Sequence, residues 1–130
     1  MAKSQIPEEV ERVARDIVHS AYTVHRTLGP GMLESVYEVC LCHELEDLGR
    51  QALRQVPVPV QYRGIHFDEG FRLDILVDDL VVCELKAVDE LHPRAVAQLL
   101  TYLRLSGKRL GFLLNFGAPI MKQGIKRLVV

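Results

Sequence analysis

The stretch of sequence that decides the fold runs from residue 71 to residue 86: Phe71-Arg-Leu-Asp-Ile-Leu-Val-Asp-Asp-Leu-Val-Val-Cys-Glu-Leu-Lys86. Its pattern is that of two apolar strands joined by a short acidic turn. Asp74 interrupts the first strand. Glu84 and Lys86 interrupt the second strand two residues apart, which places both on one face of a sheet.

The turn length decides whether Asp74 joins that face. A two-residue loop would pair Val77 with Leu80 and leave Asp74 and Glu84 on opposite faces. A three-residue loop pairs Val77 with Val81 and places Asp74 opposite Glu84. Burial favours the three-residue loop, because a slip of one residue would drive charges into the core. The apolar face would then hold Leu73, Ile75, Val77, Val81, Cys83 and Leu85.

A cluster of Asp74, Glu84 and Lys86 has the groups that phosphodiester hydrolysis requires. Two facing carboxylates repel each other unless a cation lies between them, and oxygen ligands suit Mg²⁺ or Mn²⁺. Such an ion polarises a phosphoryl oxygen and lowers the pKa of a bound water. Lys86 could orient that water and neutralise charge growing on phosphorus. The alternative is a salt-bridged polar face on a half-solvated hairpin.

Two helices are predicted before this hairpin. Apolar residues recur every three or four positions from Val10 to Leu28, which is typical of an amphipathic helix. Gly29-Pro-Gly31 ends it, and a second helix follows that stops near Gly49. We expect its inner side to carry Leu33, Val36, Tyr37, Cys40 and Leu48.

The remaining segments complete a sheet. Val56–Val60 alternates and contains two prolines, which suits an edge strand. A third helix begins near Pro93 and closes at Gly107. Residues 110–116 are almost all apolar, as in a strand covered on both faces, and 125–129 add a last edge strand. The order α-α-β-β-β-α-β-β predicts an α/β fold, a mixed central sheet flanked by helices. We expect one domain over 1–130, with an N-terminal helix within 1–28 and a core over 31–130.

Composition narrows the class of protein. The chain has 130 residues, of which 48% are hydrophobic and 25% charged, as in a globular domain. No apolar run approaches the length of a membrane span, and the N-terminus lacks the pattern of a secretory signal. Three cysteines are an odd number, so we expect free thiols and a cytoplasmic protein. The cluster Cys40, Cys42 and His43 offers too few ligands for a structural zinc site, and packing on a helix is the simpler interpretation.

Charge is unevenly distributed. Residues 1–50 hold nine acidic and five basic residues, whereas residues 51–130 hold eleven basic and eight acidic ones. From Arg94 onward there are seven basic residues and no acidic residue. A polyanion would dock on that part of the chain, although solvated surface charges would give the same pattern.

Four motifs in order resemble a known family. They are Gly31-Met-Leu-Glu34-Ser-Val-Tyr37, Arg72-Leu-Asp74, Glu84-Leu-Lys86 and Gln98-Leu-Leu-Thr-Tyr102. From about residue 27 to the C-terminus the chain resembles the compact bacterial proteins of the PD-(D/E)XK nuclease superfamily that are named for a G-x-x-E-x-x-Y motif. The proline that often precedes the first Asp is Leu73 here.

The resemblance implies a restriction-endonuclease-like core and a role for each motif. Asp74 and Glu84 would bind Mg²⁺ or Mn²⁺ with the Leu85 carbonyl as a third ligand, and Lys86 would be the catalytic lysine. Glu34 corresponds to the acidic residue that a preceding helix offers to the metal. The accessory or phosphate-binding residues would be Gln98, Tyr102 and Tyr37.

Alternatives remain open for the accessory residues and for the activity. Gln98 and Tyr102 share a helix face and could instead fix that helix to the sheet. Glu34 could be an exposed acid that favours a helix start. We expect a metal-dependent nuclease that acts on DNA, and a non-catalytic nucleic-acid- or protein-binding subunit is the alternative. A homodimer or a partner protein could supply the surface that so short a chain lacks.

Overall fold

The computed structural model describes residues 5–130, so the first four residues of the expected domain lie outside it. The sheet has five strands in the order β1-β2-β3-β4-β5. This confirms the α/β class with a mixed sheet flanked by helices, and it adds one short helix before the last strand. The elements are α1 (Glu8–Leu28), α2 (Glu34–Asp47), β1 (Ala52–Tyr62), β2 (Ile65–Val77), β3 (Val81–Lys86), α3 (Arg94–Ser106), β4 (Leu110–Asn115), α4 (Met121–Gly124) and β5 (Ile125–Val129).

The β2–β3 hairpin has the predicted register. Val77 pairs with Val81, and the ladder continues to the pair Ile75–Cys83. Asp78 and Asp79 turn the chain with φ angles of 52° and 58°, a left-handed conformation that Asp tolerates better than most residues. The Asp78 carboxylate accepts hydrogen bonds from the Gln51 amide and the Arg50 guanidinium, which fixes the turn.

The positions of the other strands also follow their sequences. β1, with its two prolines, lies at one edge of the sheet, and β5 lies at the other. β3 and β4 are parallel and adjacent, and α3 makes the crossover between them. All six residues of β4 are buried, which agrees with a strand covered on both faces.

Helices cover both faces of the sheet and create two apolar clusters. One cluster joins α1 and α2 to Ile75, Val77, Val81, Cys83 and Leu85. The other lies under α3 and includes Leu76, Val82, Leu99 and Leu103. Leu73, which we expected on the face of Ile75, packs in the α3 cluster instead. That expectation was wrong because β2 does not alternate strictly through Asp74.

The inner side predicted for α2 was also partly wrong. Tyr37 is buried as expected, but Leu33 is 74% exposed. Apolar residues occur all around this helix, so their spacing does not single out one face. The buried residues of α2 are Tyr37, Glu38, Leu41, Cys42 and Leu45.

The three cysteines are free thiols, as expected. Cys42 and Cys83 are buried, and Cys40 is half-buried. Burial raises the pKa of the Cys42 thiol to about 11. A thiol protonated at neutral pH behaves as a small apolar side chain, which fits the packing interpretation.

We expect the α1 face to contribute strongly to stability. Val13 is fully buried, whereas Val39 on α2 is 51% exposed. Val13→Ala should lower the free energy of unfolding by about 2 kcal/mol, because it leaves a cavity in the larger cluster. Val39→Ala is the matched control and should change it by less than about 0.5 kcal/mol. Urea denaturation measures both, and equal effects would contradict this packing.

Candidate active site

The centre of the site is an exchange of hydrogen bonds between β2 and β3. The backbone ladder ends at Ile75–Cys83, and the register places Asp74 opposite Glu84 at the next position. There the Asp74 amide donates to Glu84 Oε1 at 3.1 Å, and the Leu85 amide donates to Asp74 Oδ2 at 2.9 Å. Each carboxylate thus accepts a hydrogen bond from a backbone amide of the opposite strand, and the two lie together as the sequence predicted.

The environment of this pair disfavours a second negative charge. Glu84 is only 6% exposed. Burial, together with the nearby charge of Asp74, raises the pKa of Glu84 to about 8, although the Asp74 amide and Lys86 act in the opposite direction. A cation between the two carboxylates would relieve this repulsion, so the donor set fits a divalent metal ion.

Lys86 ends β3 and lies half-buried beside the pair. Its positive charge limits the rise that burial causes in the pKa of both Glu84 and Glu34, so the three groups interact electrostatically. Lys86 and Gln98 also line a cavity of about 360 Å³ between the β3–α3 loop and the start of α3. A molecule bound in this cavity would contact Lys86.

Glu34 is the first residue of α2 and lies at the rim of the site. Glu34 is exposed, as the alternative interpretation expected. Partial desolvation of its carboxylate raises its pKa, and the charges of Asp74 and Glu38 add to the rise, whereas Lys86 opposes it. The carboxylates of Glu34, Asp74 and Glu84 do not all lie within 4.8 Å of one another. Glu34 therefore interacts electrostatically with the pair, but the three carboxylates do not form a compact metal-binding group.

Among residues 5–130, one group of three ligand side chains does meet that distance. It consists of His43, Glu44 and Asp47 on α2. His43 and Asp47 are exposed and lie 3.5 Å apart. This group is separate from the acidic pair, and the sequence had indicated only the neighbouring cysteines and His43.

Tyr37 has a structural position and not the phosphate-binding one that the resemblance implied. Its side chain is fully buried and stacks on Phe116 with ring centroids 4.6 Å apart. Its hydroxyl donates to the Gly29 carbonyl at 2.5 Å and accepts from the Met32 amide at 3.1 Å. These contacts hold the turn from which α2 begins, and so they determine where Glu34 lies.

The α3 residues approach the site from the other face of the sheet. Burial raises the pKa of Tyr102, and the charges of Glu84 and Asp74 add to the rise, so its hydroxyl faces an acidic environment. The Tyr102 ring stacks on Phe71 at 4.2 Å, which supports the interpretation that it fixes α3 to the sheet. Gln98, one turn earlier, is exposed and lines the cavity beside Lys86.

Asn115 is a site residue that the sequence analysis missed. It is 4% exposed, and its carboxamide accepts from the Val88 amide at 3.0 Å and donates to the Val88 carbonyl at 2.9 Å. A Cβ atom on Gly117 would lie 2.4 Å from the Val88 carbonyl oxygen, so only glycine permits this approach. Asn115 and Gly117 together fix the segment that follows Lys86. An Asn that ends an apolar strand is the one local signal for it.

Comparison with protein families shows that residues 11–128 match the family model of the PD-(D/E)XK nuclease superfamily. Comparisons with curated proteins and with solved structures give no significant match. The matched segment runs from α1 to β5 and contains every candidate site residue. Within residues 5–130, no helix has the length and apolar character needed to cross a membrane.

The raised pKa of Glu84 predicts a pH dependence of stability in the metal-free protein. Because folding raises this pKa from 4.5 to about 8, the stabilisation from the protonated group is complete below the unfolded pKa and is lost as pH rises through the folded one. In EDTA, the free energy of unfolding should therefore fall between about pH 5 and about pH 8. Glu84→Gln, which stays neutral, should show a smaller fall. Parallel curves for the two proteins in urea denaturation would contradict the assignment.

Proposed function

Because the chain belongs to the PD-(D/E)XK nuclease superfamily, we propose that it is a metal-dependent nuclease that hydrolyses phosphodiester bonds, with DNA as the expected substrate. The observation that carries the proposal is the carboxylate pair of Asp74 and Glu84 on adjacent strands, with Lys86 two residues beyond Glu84 on the same strand. Superfamily membership supports nuclease chemistry, and the pair supports its metal dependence.

Asp74 and Glu84 are the residues that would hold Mg²⁺ or Mn²⁺. In an extended strand the amide and the carbonyl of one residue point to the same neighbour, and the Leu85 amide points to Asp74 on β2. The Leu85 carbonyl therefore faces a part of β2 beyond the last ladder pair, which supports it as a third ligand. Bound there, the ion would supply Lewis-acid polarisation of a phosphoryl oxygen and a more acidic water.

The other side chains supply positioning and charge. Lys86 neutralises negative charge that develops on the phosphoryl oxygens and orients the attacking water. Gln98 and Tyr102 add hydrogen-bonding groups from α3, and Glu34 adds an acceptor from α2 at the rim. In this proposal two helices and one strand supply the groups that would fix a reacting phosphate beside the carboxylate pair.

The basic part of the chain is partly neutralised by internal ion pairs. Arg127 binds Glu11 through both terminal nitrogens at 2.8 Å, and Lys108 binds Asp79 at 2.9 Å. Arg94 lines the cavity beside Lys86. We therefore propose that the nucleic acid lies over this cavity and not over β5.

The cleavage assay tests the proposal directly. End-labelled single- and double-stranded DNA should be cut in Mg²⁺ or Mn²⁺ and should stay intact in EDTA. Lys86→Ala should lower the rate at least about 100-fold, because it removes a charge aimed at the developing oxyanion. Arg15→Ala is the control, since it removes a positive charge that pairs with Glu8 on α1.

The opposite result is equally informative. If the folded wild-type protein cleaves neither DNA with either metal, the catalytic proposal fails. The alternative, a binding subunit that keeps the nuclease fold, would then be tested by DNA binding.

Metal binding distinguishes the carboxylate pair of Asp74 and Glu84 from the group of ligand side chains on α2. Calorimetric titration with Mn²⁺ should show one site that Asp74→Asn removes, because the amide cannot supply the second negative ligand. Asp47→Asn is the matched control in the group of His43, Glu44 and Asp47, and it should leave the affinity unchanged. Loss with Asp47→Asn and retention with Asp74→Asn would place the ion on α2 and contradict the proposed centre.

A further inference from the structure

β1 departs from regular strand geometry at one residue near the site. Gln55 has a φ angle of 51°, a left-handed value that a residue other than glycine seldom adopts. The flanking pairs are Arg54–Ile75 and Val56–Leu73, so the irregular position lies opposite Asp74. The regular pairing of β2 is therefore interrupted at Asp74 on both sides, toward β1 and toward β3.

A buried acid on α2 holds Gln55 in this conformation. Glu38 is 5% exposed, and Gln55 Nε2 donates to both of its carboxylate oxygens at 3.0 and 3.2 Å. The Arg54 Nε also donates to Glu38 at 3.0 Å. A buried carboxylate needs such hydrogen-bond partners. Glu38 therefore ties α2 to β1 at Gln55, the residue opposite Asp74. Glu34 lies one turn earlier on the same helix face.

The packing of β2 shows the effect of this irregularity. Leu73 and Leu76 both pack in the α3 cluster, although strict alternation would put residues three apart on opposite faces. The register is the same on both sides of Gln55, so no residue is inserted, and β2 changes its inward face at Asp74. At this change of face the Asp74 carboxylate accepts a hydrogen bond from the Leu85 amide of β3 at 2.9 Å.

We propose that Glu38 and Gln55 are positioning residues for the metal centre: their contact keeps β1 irregular opposite Asp74, and this holds the Asp74 carboxylate where it can bind the ion. The proposal rests on the proposed function for the identity of the ligand. Neither residue belongs to the motifs of the resemblance, and neither touches the reacting atoms. Their influence passes through the backbone of β2.

Three variants separate this role from ordinary stabilisation. Gln55→Ala removes the contact with Glu38 but keeps a side chain that disfavours a positive φ, so β1 should return to extended geometry. Gln55→Gly removes the same contact but accepts the left-handed conformation. Gln61→Ala is the matched control, because Gln61 lies on the same strand in an exposed position, where its side chain contacts His66.

Two measurements on the folded proteins are needed. The first records the NMR signals of the Asp74 and Leu85 amides without metal, since these amides report the two hydrogen bonds directly. The second is the Mn²⁺ affinity by calorimetry. We expect Gln55→Ala to shift both amide signals and to weaken Mn²⁺ binding about tenfold or more, as changes behind a metal ligand do. Gln55→Gly should recover most of the affinity, and Gln61→Ala should match wild type.

Each adverse outcome has its own meaning. Unchanged amide signals and Mn²⁺ affinity in Gln55→Ala would overturn the positioning role while leaving the proposed function intact. Equal losses in Gln55→Ala and Gln55→Gly would overturn the conformational explanation. A wild-type protein that binds no Mn²⁺ would overturn the proposed function, and the amide signals would still decide whether Gln55 controls the position of Asp74.

Discussion

The candidate site depends on two hydrogen bonds in which a carboxylate of one strand accepts from a backbone amide of the other. Glu84 accepts the Asp74 amide, and Asp74 accepts the Leu85 amide, at the point where β2 and β3 would form their next pair. Each carboxylate is thereby held in place by the backbone of the opposite strand. A slip of one residue would break both bonds and move the apolar side chains of the hairpin to the wrong faces, so one register determines both the core and the site.

This arrangement carries a cost that the rest of the fold offsets. Two acids close together in a buried position disfavour ionisation, as the raised pKa of Glu84 shows. The neighbouring strand β4 is fully buried and helices cover both faces of the sheet, which supplies the apolar burial that tolerates such a pair. The same low polarity strengthens the attraction between the pair and a cation. Stability without metal and affinity for metal are therefore opposed properties of one site.

Local sequence patterns predicted much of the fold and of the candidate site. The apolar residues around Asp78-Asp79 selected the hairpin register, and the prolines of residues 56–60 indicated an edge strand, because alternation and turn chemistry act over a few residues. The α2 face and Leu73 were misplaced for a different reason. Apolar residues surround α2, and the change of face in β2 coincides with the irregular residue Gln55 on the neighbouring strand. Asn115 was missed because its partners lie 27 residues away.

Short-range sequence was sufficient for the order of the long helices and the strands, although it missed the short helix α4. It was also sufficient for the hairpin register and the approach of Asp74 to Glu84, since period and turn length fix these within one hairpin. Tertiary contacts alone decided that Tyr37 fixes a turn, that Tyr102 stacks on Phe71, and that a buried Glu38 holds β1 irregular. These features join residues from different elements. Their energies depend on burial and on the direction of each hydrogen bond, and neither quantity exists until the helices have packed on the sheet.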